Sequence, residues 1–83
     1  SPGEINFKVQ DPKNCLKRVR KHFEPFVIST DTTDGISMIF KDWRFNLRMS
    51  NTEPFVRLNL ETRSDERLLS KCLLEITSLI EDD

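Results

Sequence analysis

Between Trp43 and Glu61 the chain alternates apolar and polar residues twice, with a short polar break between. Trp43, Phe45, Leu47 and Met49 alternate with Arg44, Asn46, Arg48 and Ser50, and Val56, Leu58 and Leu60 alternate with Arg57, Asn59 and Glu61. A strand turns successive side chains to opposite faces, so this period of two builds a sheet with one apolar and one polar face. The apolar face has to be covered. The same period marks a first strand from Glu4 to Val9, through Ile5, Phe7 and Val9, and a third through Ile36, Met38 and Phe40. Lys41-Asp42 is short enough to be a hairpin connection. Phe26-Val27-Ile28 is rich in strand formers and is expected to enter the second strand, ahead of a polar turn over Asp31-Thr32-Thr33-Asp34-Gly35.

Two segments switch to helical spacing. Asp11 is a good N-cap and Pro12 suits a first helical position. Leu16, Val19 and Phe23 follow, flanked by Cys15, so a helix spans about 12–23, and Pro25 ends it. Ser64-Asp65-Glu66 opens a second helix with a cap and two acids at the positive end of its dipole. Leu69, Cys72, Leu73, Ile76 and Ile80 form its stripe. The expected order is β-α-β-β-β-β-α. The fold class is α+β: an antiparallel sheet of four to five strands, covered on one face by two helices. The uncovered face carries Arg44, Asn46, Arg48, Arg57 and Asn59, and can look into a cleft shared with other domains.

Eighty-three residues make a single small domain, which buries only ~60–65% of its unfolded surface. A deep enclosed active site is hard to build at that size. The net charge of −1 gives no global field for nucleic acid or an anionic membrane, so any anion site is local. Cys15 and Cys72 lie far apart in helical segments and read as two reduced, partly buried thiols, with no metal-ligand pattern around them. No run is long enough to span a membrane and no signal peptide opens the chain, so the expected setting is cytoplasmic. Ser1-Pro2-Gly3 reads as a linker or vector remnant before a domain of residues 4–83.

The polar break itself is the candidate site. Arg48-Met49-Ser50-Asn51-Thr52-Glu53-Pro54, followed by Arg57, crowds two guanidiniums and three short hydrogen-bonding side chains into ten residues. A guanidinium pairs twice with a phosphate, and a tight loop adds short donors. Arg48, Ser50, Asn51, Thr52 and Arg57 therefore read as an anion clamp. The plain alternative is arginines paired with nearby acids beside an ordinary Ser-Asn-Thr turn.

A second basic feature is Lys13, Lys17, Arg18, Arg20 and Lys21, within nine residues that hold no acid. Such a helix can lie along a nucleic-acid backbone, but no aromatic run resembles an RNA-stacking strand, and a solvated helix face explains it. His22 is the only histidine and sits near a helix C-terminus, where a cation is favoured, with no triad partners in view. Asp31, Asp34 and Asp42 fall in turns, with no Asp-x-Asp metal signature. Trp43 reads as core beside Phe45, and Glu81-Asp82-Asp83 as a frayed tail. No catalytic residue and no metal ligand is assigned.

From Gly3-Glu4-Ile5-Asn6-Phe7 to the last helix, and most of all through DGISMIFKDWRFNLRMSNTEPFVRLNLETR, the chain resembles the C-terminal, fourth domain of the α-D-phosphohexomutases. It is most like the bacterial phosphomannomutases. The specific signal is Arg-x-Ser-Asn-Thr-Glu-Pro. Phosphoglucosamine mutases usually put Gly where Asn51 stands, so the resemblance leans to the phosphomannomutase/phosphoglucomutase branch. Met49 holds a variable position and is expected to point away from a ligand.

The resemblance implies a four-domain enzyme that moves a phosphoryl group between positions 6 and 1 of a hexose through a bisphosphate. The partners implied are mannose or glucose 1-/6-phosphate, the bisphosphate, and the enzyme's other domains. A phosphoserine and Mg²⁺ are implied in those other domains, with no cofactor in this one. The fourth domain grips the phosphate that is not reacting and closes the cleft; its fold is similar to that of TATA-box-binding protein. The matching contact residues are Arg48, Ser50, Asn51 and Thr52, while Arg57 comes from charge and spacing. On this reading the chain alone is inactive. Two other readings stand beside it: a small RNA- or DNA-binding domain using helix 12–23, and a ligand-free protein-interaction module.

Overall fold

The computed structural model describes residues 3–82, so Ser1, Pro2 and Asp83 lie outside the described residues. Five strands and two α-helices follow the expected order: β1 Glu4–Lys8, α1 Pro12–Phe23, β2 Ser29–Asp31, β3 Ile36–Ile39, β4 Trp43–Met49, β5 Phe55–Thr62 and α2 Glu66–Glu81. The strands form one antiparallel sheet in the order β1-β5-β4-β3-β2. The two strands with the cleanest alternation, β4 and β5, pair along seven positions, from Trp43↔Thr62 to Met49↔Val56.

That register aligns the alternating residues by chemistry. Phe45 faces Leu60 and Leu47 faces Leu58, while Arg44 faces Glu61, Asn46 faces Asn59 and Arg48 faces Arg57. Phe45, Leu47, Val56, Leu58 and Leu60 are buried, together with Ile36 and Met38 of β3. Val19 and Phe23 of α1, with Cys72, Ile76 and Ile80 of α2, complete the core. No polar or charged residue is buried among the described residues. At one end Phe23, Phe40, Trp43 and Phe45 form an aromatic cluster. Trp43 stacks on Phe40 at 4.3 Å with planes 8° apart and is half-buried against the core.

The helix signals hold with small changes. Asp11 caps α1 by accepting from the Asn14 amide at 3.1 Å, and Pro12 is the first residue of the helix. Cys15 is fully buried while Leu16 only flanks the core, because the apolar stripe turns through 15, 19 and 23. In α2 the cap is Asp65, which accepts from the Leu68 amide at 3.0 Å, and only Glu66 is an acid in the first turn. Leu69 and Leu73 flank the stripe of Cys72, Ile76 and Ile80. Both thiols are buried, not partly exposed, and burial pushes the Cys72 thiol up. The tail is shorter than expected, since Glu81 closes α2.

One strand starts later than its residues promise. Pro25 does not stop the winding after α1: Glu24–Phe26 tighten into a 3₁₀ turn, a common helix ending in which Pro is tolerated near the start. β2 is therefore Ser29–Asp31, with Ile28 already donating its amide to Ile39 O at 2.8 Å. Phe26 and Ile28 are left 70% and 68% exposed, so their strand propensity is not spent on burial. Asp31 ends β2, and its carboxylate accepts from the Thr33 amide at 2.7 Å, the Asx bond that starts the turn.

Arg18 leaves the basic face of α1. Its guanidinium donates to Leu79 O at 2.9 Å and Ile80 O at 3.3 Å, satisfying carbonyls at the end of α2 that the helix cannot bond itself. Arg20 lies 3.9 Å from Glu24, and His22 Nε2 is 2.9 Å from Glu75 Oε2 on α2. The helix pair is thus joined by polar contacts along its outer side.

Candidate functional site

The open face of the sheet is where the sequence places its arginines. Cross-strand pairing puts Arg48 of β4 directly opposite Arg57 of β5. Like charges so placed repel, so the pair needs an anion. Two acids supply it. Glu4, on edge strand β1, reaches over β5: its Oε2 accepts from Arg48 Nη2 at 3.2 Å and from Asn59 Nδ2 at 3.3 Å, and its Oε1 lies 3.7 Å from Arg57 Nη1. Asp34 approaches from the other side, 3.5 Å from Arg48 Nη1. The Asn59 hydrogen bond, then the hydrogen bond and charge of Arg48 and the charge of Arg57, hold the Glu4 carboxyl below the usual glutamate range.

Gly35 explains how Asp34 gets there. Its φ is +69°, and a Cβ at this position would stand 2.4 Å from Leu47 O and 2.7 Å from Arg48 Cα. Only glycine lets the turn close so tightly on β4. Asn46 then ties the turn down, donating to Asp34 O and to Ser37 Oγ, each at 3.0 Å.

The loop after β4 is equally local in its bonding. Ser50 Oγ accepts from the amides of Thr52 at 3.4 Å and Glu53 at 3.3 Å, so the hydroxyl shapes the turn and keeps its own O–H to donate. Ser50 N donates to Phe55 O at 3.1 Å, and Val9 N to Pro54 O at 3.0 Å, which closes the loop against β5 and anchors it to the end of β1.

These elements enclose one open depression of about 400 Å³, lined by Asp34, Arg48, Met49, Ser50, Asn51, Thr52 and Arg57. All five residues singled out in the sequence are therefore neighbours around a single hollow. Alternation puts Met49 toward the covered face, yet it reaches the rim of the hollow. Arg48 and Arg57 have side chains 37% and 39% exposed. Arg57 packs its guanidinium over Phe55, 5.2 Å from the ring centroid, and its buried Nε has no hydrogen-bond partner among the described residues. An anion would meet Arg57 through its Nη side.

Sequence reasoning missed two members of this site. Glu4 stands 44 residues from Arg48, and only the strand order brings it near. Asp34 looked like a turn residue, which it is, and the glycine beside it carried the one signal of close approach. A smaller hollow of about 280 Å³ lies at the far end of the sheet, lined by Phe40, Lys41, Trp43, Arg44 and Arg63 among others. Arg44 there is paired with Glu61 at 3.1 Å. Among the described residues no three His, Cys, Asp or Glu come together as a metal group, and no helix is long and apolar enough to cross a membrane.

Residues 4–77 match the family of the phosphoglucomutase/phosphomannomutase C-terminal domain. The chain is 49% identical over 80 residues to a phosphomannomutase of Escherichia coli K12, covering 96% of this chain and 18% of that protein. It is 54% identical over 78 residues to the phosphohexose mutases of Xanthomonas campestris pv. campestris B100, covering 94% of this chain and 17% of that protein. To a phosphomannomutase of Methanocaldococcus jannaschii it is 45% identical over 78 residues, again 94% of this chain and 17% of the relative. The chain thus spans less than a fifth of the length of these relatives.

Proposed function

Since the chain belongs to the phosphoglucomutase/phosphomannomutase family as its C-terminal domain, we propose that its open face binds the phosphate of a hexose phosphate at the end of the sugar that is not reacting. Arg48 is the main anchor, with Arg57 beside it; Ser50, Asn51 and Thr52 add short donors. The observation that carries this reading is the hollow in which all five residues meet around a cross-strand arginine pair. Two guanidiniums a strand apart can hold a tetrahedral dianion from two sides, which one arginine cannot.

In the whole enzyme this grip serves the interconversion of hexose 6-phosphate and hexose 1-phosphate, with mannose or glucose phosphates and the bisphosphate as ligands. Holding the far phosphate fixes the sugar relative to the reacting end, and closing this domain over the cleft excludes water. The nucleophilic phosphoserine and Mg²⁺ belong to the enzyme's other domains. This chain's part is binding and orientation. The nucleic-acid reading loses ground, because Arg18 is turned to the end of α2 and Arg20 to Glu24.

The test is a titration of the 83-residue chain with mannose 6-phosphate, followed by amide NMR. Shifts are expected at residues 48–52 and 57, with a Kd on the order of 1 mM or weaker, near −4 kcal/mol, because the rest of the cleft is missing and water screens the site. Shifts confined to α1, or none, would refute the clamp.

A further inference from the structure

We propose that Glu4 is the resident counter-ion of the Arg48–Arg57 pair, a tethered anion that an incoming phosphate must share or displace, and that it sets the affinity and charge selectivity of the hollow. The inference rests on the phosphate-binding reading above and adds a residue to it. Glu4 sits on β1, which does not adjoin β4; β5 lies between them. Its carboxylate nevertheless reaches Arg48 at 3.2 Å and approaches Arg57 at 3.7 Å, so it bridges the two groups that a phosphate would bridge. A group that serves only local sheet pairing would bond across to β5 alone, as its contact with Asn59 does.

Charge makes the consequence specific. Arg48 and Arg57 contribute two positive charges; Glu4 and Asp34 contribute two negative ones at 3.2–3.7 Å. The four side chains therefore sum to zero charge. A monoanion brings no more charge than the carboxylate it must replace, and the carboxylate has the advantage of being tethered. A dianion such as phosphate or sulfate brings twice the charge. Glu4 thus holds the arginines together when no ligand is bound and filters for dianions. The Glu4 carboxyl is held below the usual glutamate range by the Asn59 hydrogen bond first and the arginines after it, in agreement with this placement.

The experiment uses sodium sulfate, whose charge does not change over the working pH range, at constant ionic strength, read by amide NMR. Removing one negative charge ~6 Å from a dianion in a water-like medium strengthens binding roughly tenfold before screening and about threefold after it. Glu4→Gln should therefore bind sulfate about threefold more tightly than the unmodified chain. Asp34→Asn, whose carboxylate is 75% exposed, should gain about twofold. Glu61→Gln, on the same face but paired with Arg44, should leave sulfate affinity unchanged. Equal or weaker binding by Glu4→Gln, with a folded spectrum, would make Glu4 a brace and overturn the inference while the clamp stands. A collapsed Glu4→Gln spectrum would make it a folding residue and overturn the inference as well. No sulfate response at residues 48–52 and 57 in any of the chains would remove the clamp reading and this inference together.

Discussion

The two faces of one sheet divide the work of this chain almost without overlap. On the covered face, Phe45, Leu47, Val56, Leu58 and Leu60 are buried under two helices with no polar partner among them. On the open face, the residues between them are Arg44, Asn46, Arg48, Arg57 and Asn59, each engaged with another polar group. Stability comes from burial that excludes water, and exposed ion pairs add little to it. Those same exposed groups, exchangeable because they are cheap to rearrange, are the ones that can trade partners with a ligand. A core cannot bind, and this open face cannot hold the fold together.

That contrast can be broken experimentally, most forcefully at Leu58. It is fully buried at the centre of β5. Leu58→Ala should destabilise the chain by about 2–5 kcal/mol, measured by denaturant unfolding, because a cavity is left in a packed core. A cost below that of losing one surface ion pair would mean the covered face is not the source of stability. Arg48 lies on the open face, and its substitution should act the other way round from that of Leu58. Arg48→Ala should abolish the mannose 6-phosphate response while shifting stability by less than about 1 kcal/mol, since its partners are solvent-exposed. A large loss of Tm with retained binding would turn Arg48 into a structural residue.

The smallest effect sharpens the contrast through pH. Glu4 has its carboxyl lowered in the folded chain, so folding favours its charged form. The contribution is complete above the ordinary value near 4.5 and is lost as pH falls through the lower folded value. Melting curves of the unmodified chain and Glu4→Gln should therefore differ by a constant amount above that range and converge below it. Asp31, lowered first by its bond to the Thr33 side chain and then by that to its amide, pulls in the same direction and is common to both chains. Divergence on acidification would contradict the sign.

Most of the fold was legible because it is written in local periods. Alternation over 43–50 and 56–61 gives the two central strands and their faces, and Asp11-Pro12 gives the start of α1, all without reference to distant residues. The misreadings occur where a tertiary contact decides. Phe26-Val27-Ile28 has strand composition, but a 3₁₀ turn continues past Pro25 and only Ile28 joins the ladder. Arg18 is one of five basic residues in its segment, and nothing local says that it alone meets the carbonyls of Leu79 and Ile80. In the site, the five clamp residues lie within ten positions and were visible together. Glu4 and Asp34 were not, because a counter-ion is defined by strand order and turn closure, which no short window contains.

The alternation along β4 and β5 has a consequence for how such a chain can change over generations. Substitutions at Arg44, Arg48, Arg57 and Asn59 alter what the surface meets, while the residues interleaved with them keep the scaffold. Selection, natural or in a laboratory library, can therefore explore new ligands at every second codon of two adjacent strands without having to rediscover a way to fold. The limit of that freedom is Gly35, where any side chain would strike the backbone at Leu47 and Arg48. A library that spares this glycine and Asn46, which ties the turn down, keeps the turn on which the open face closes.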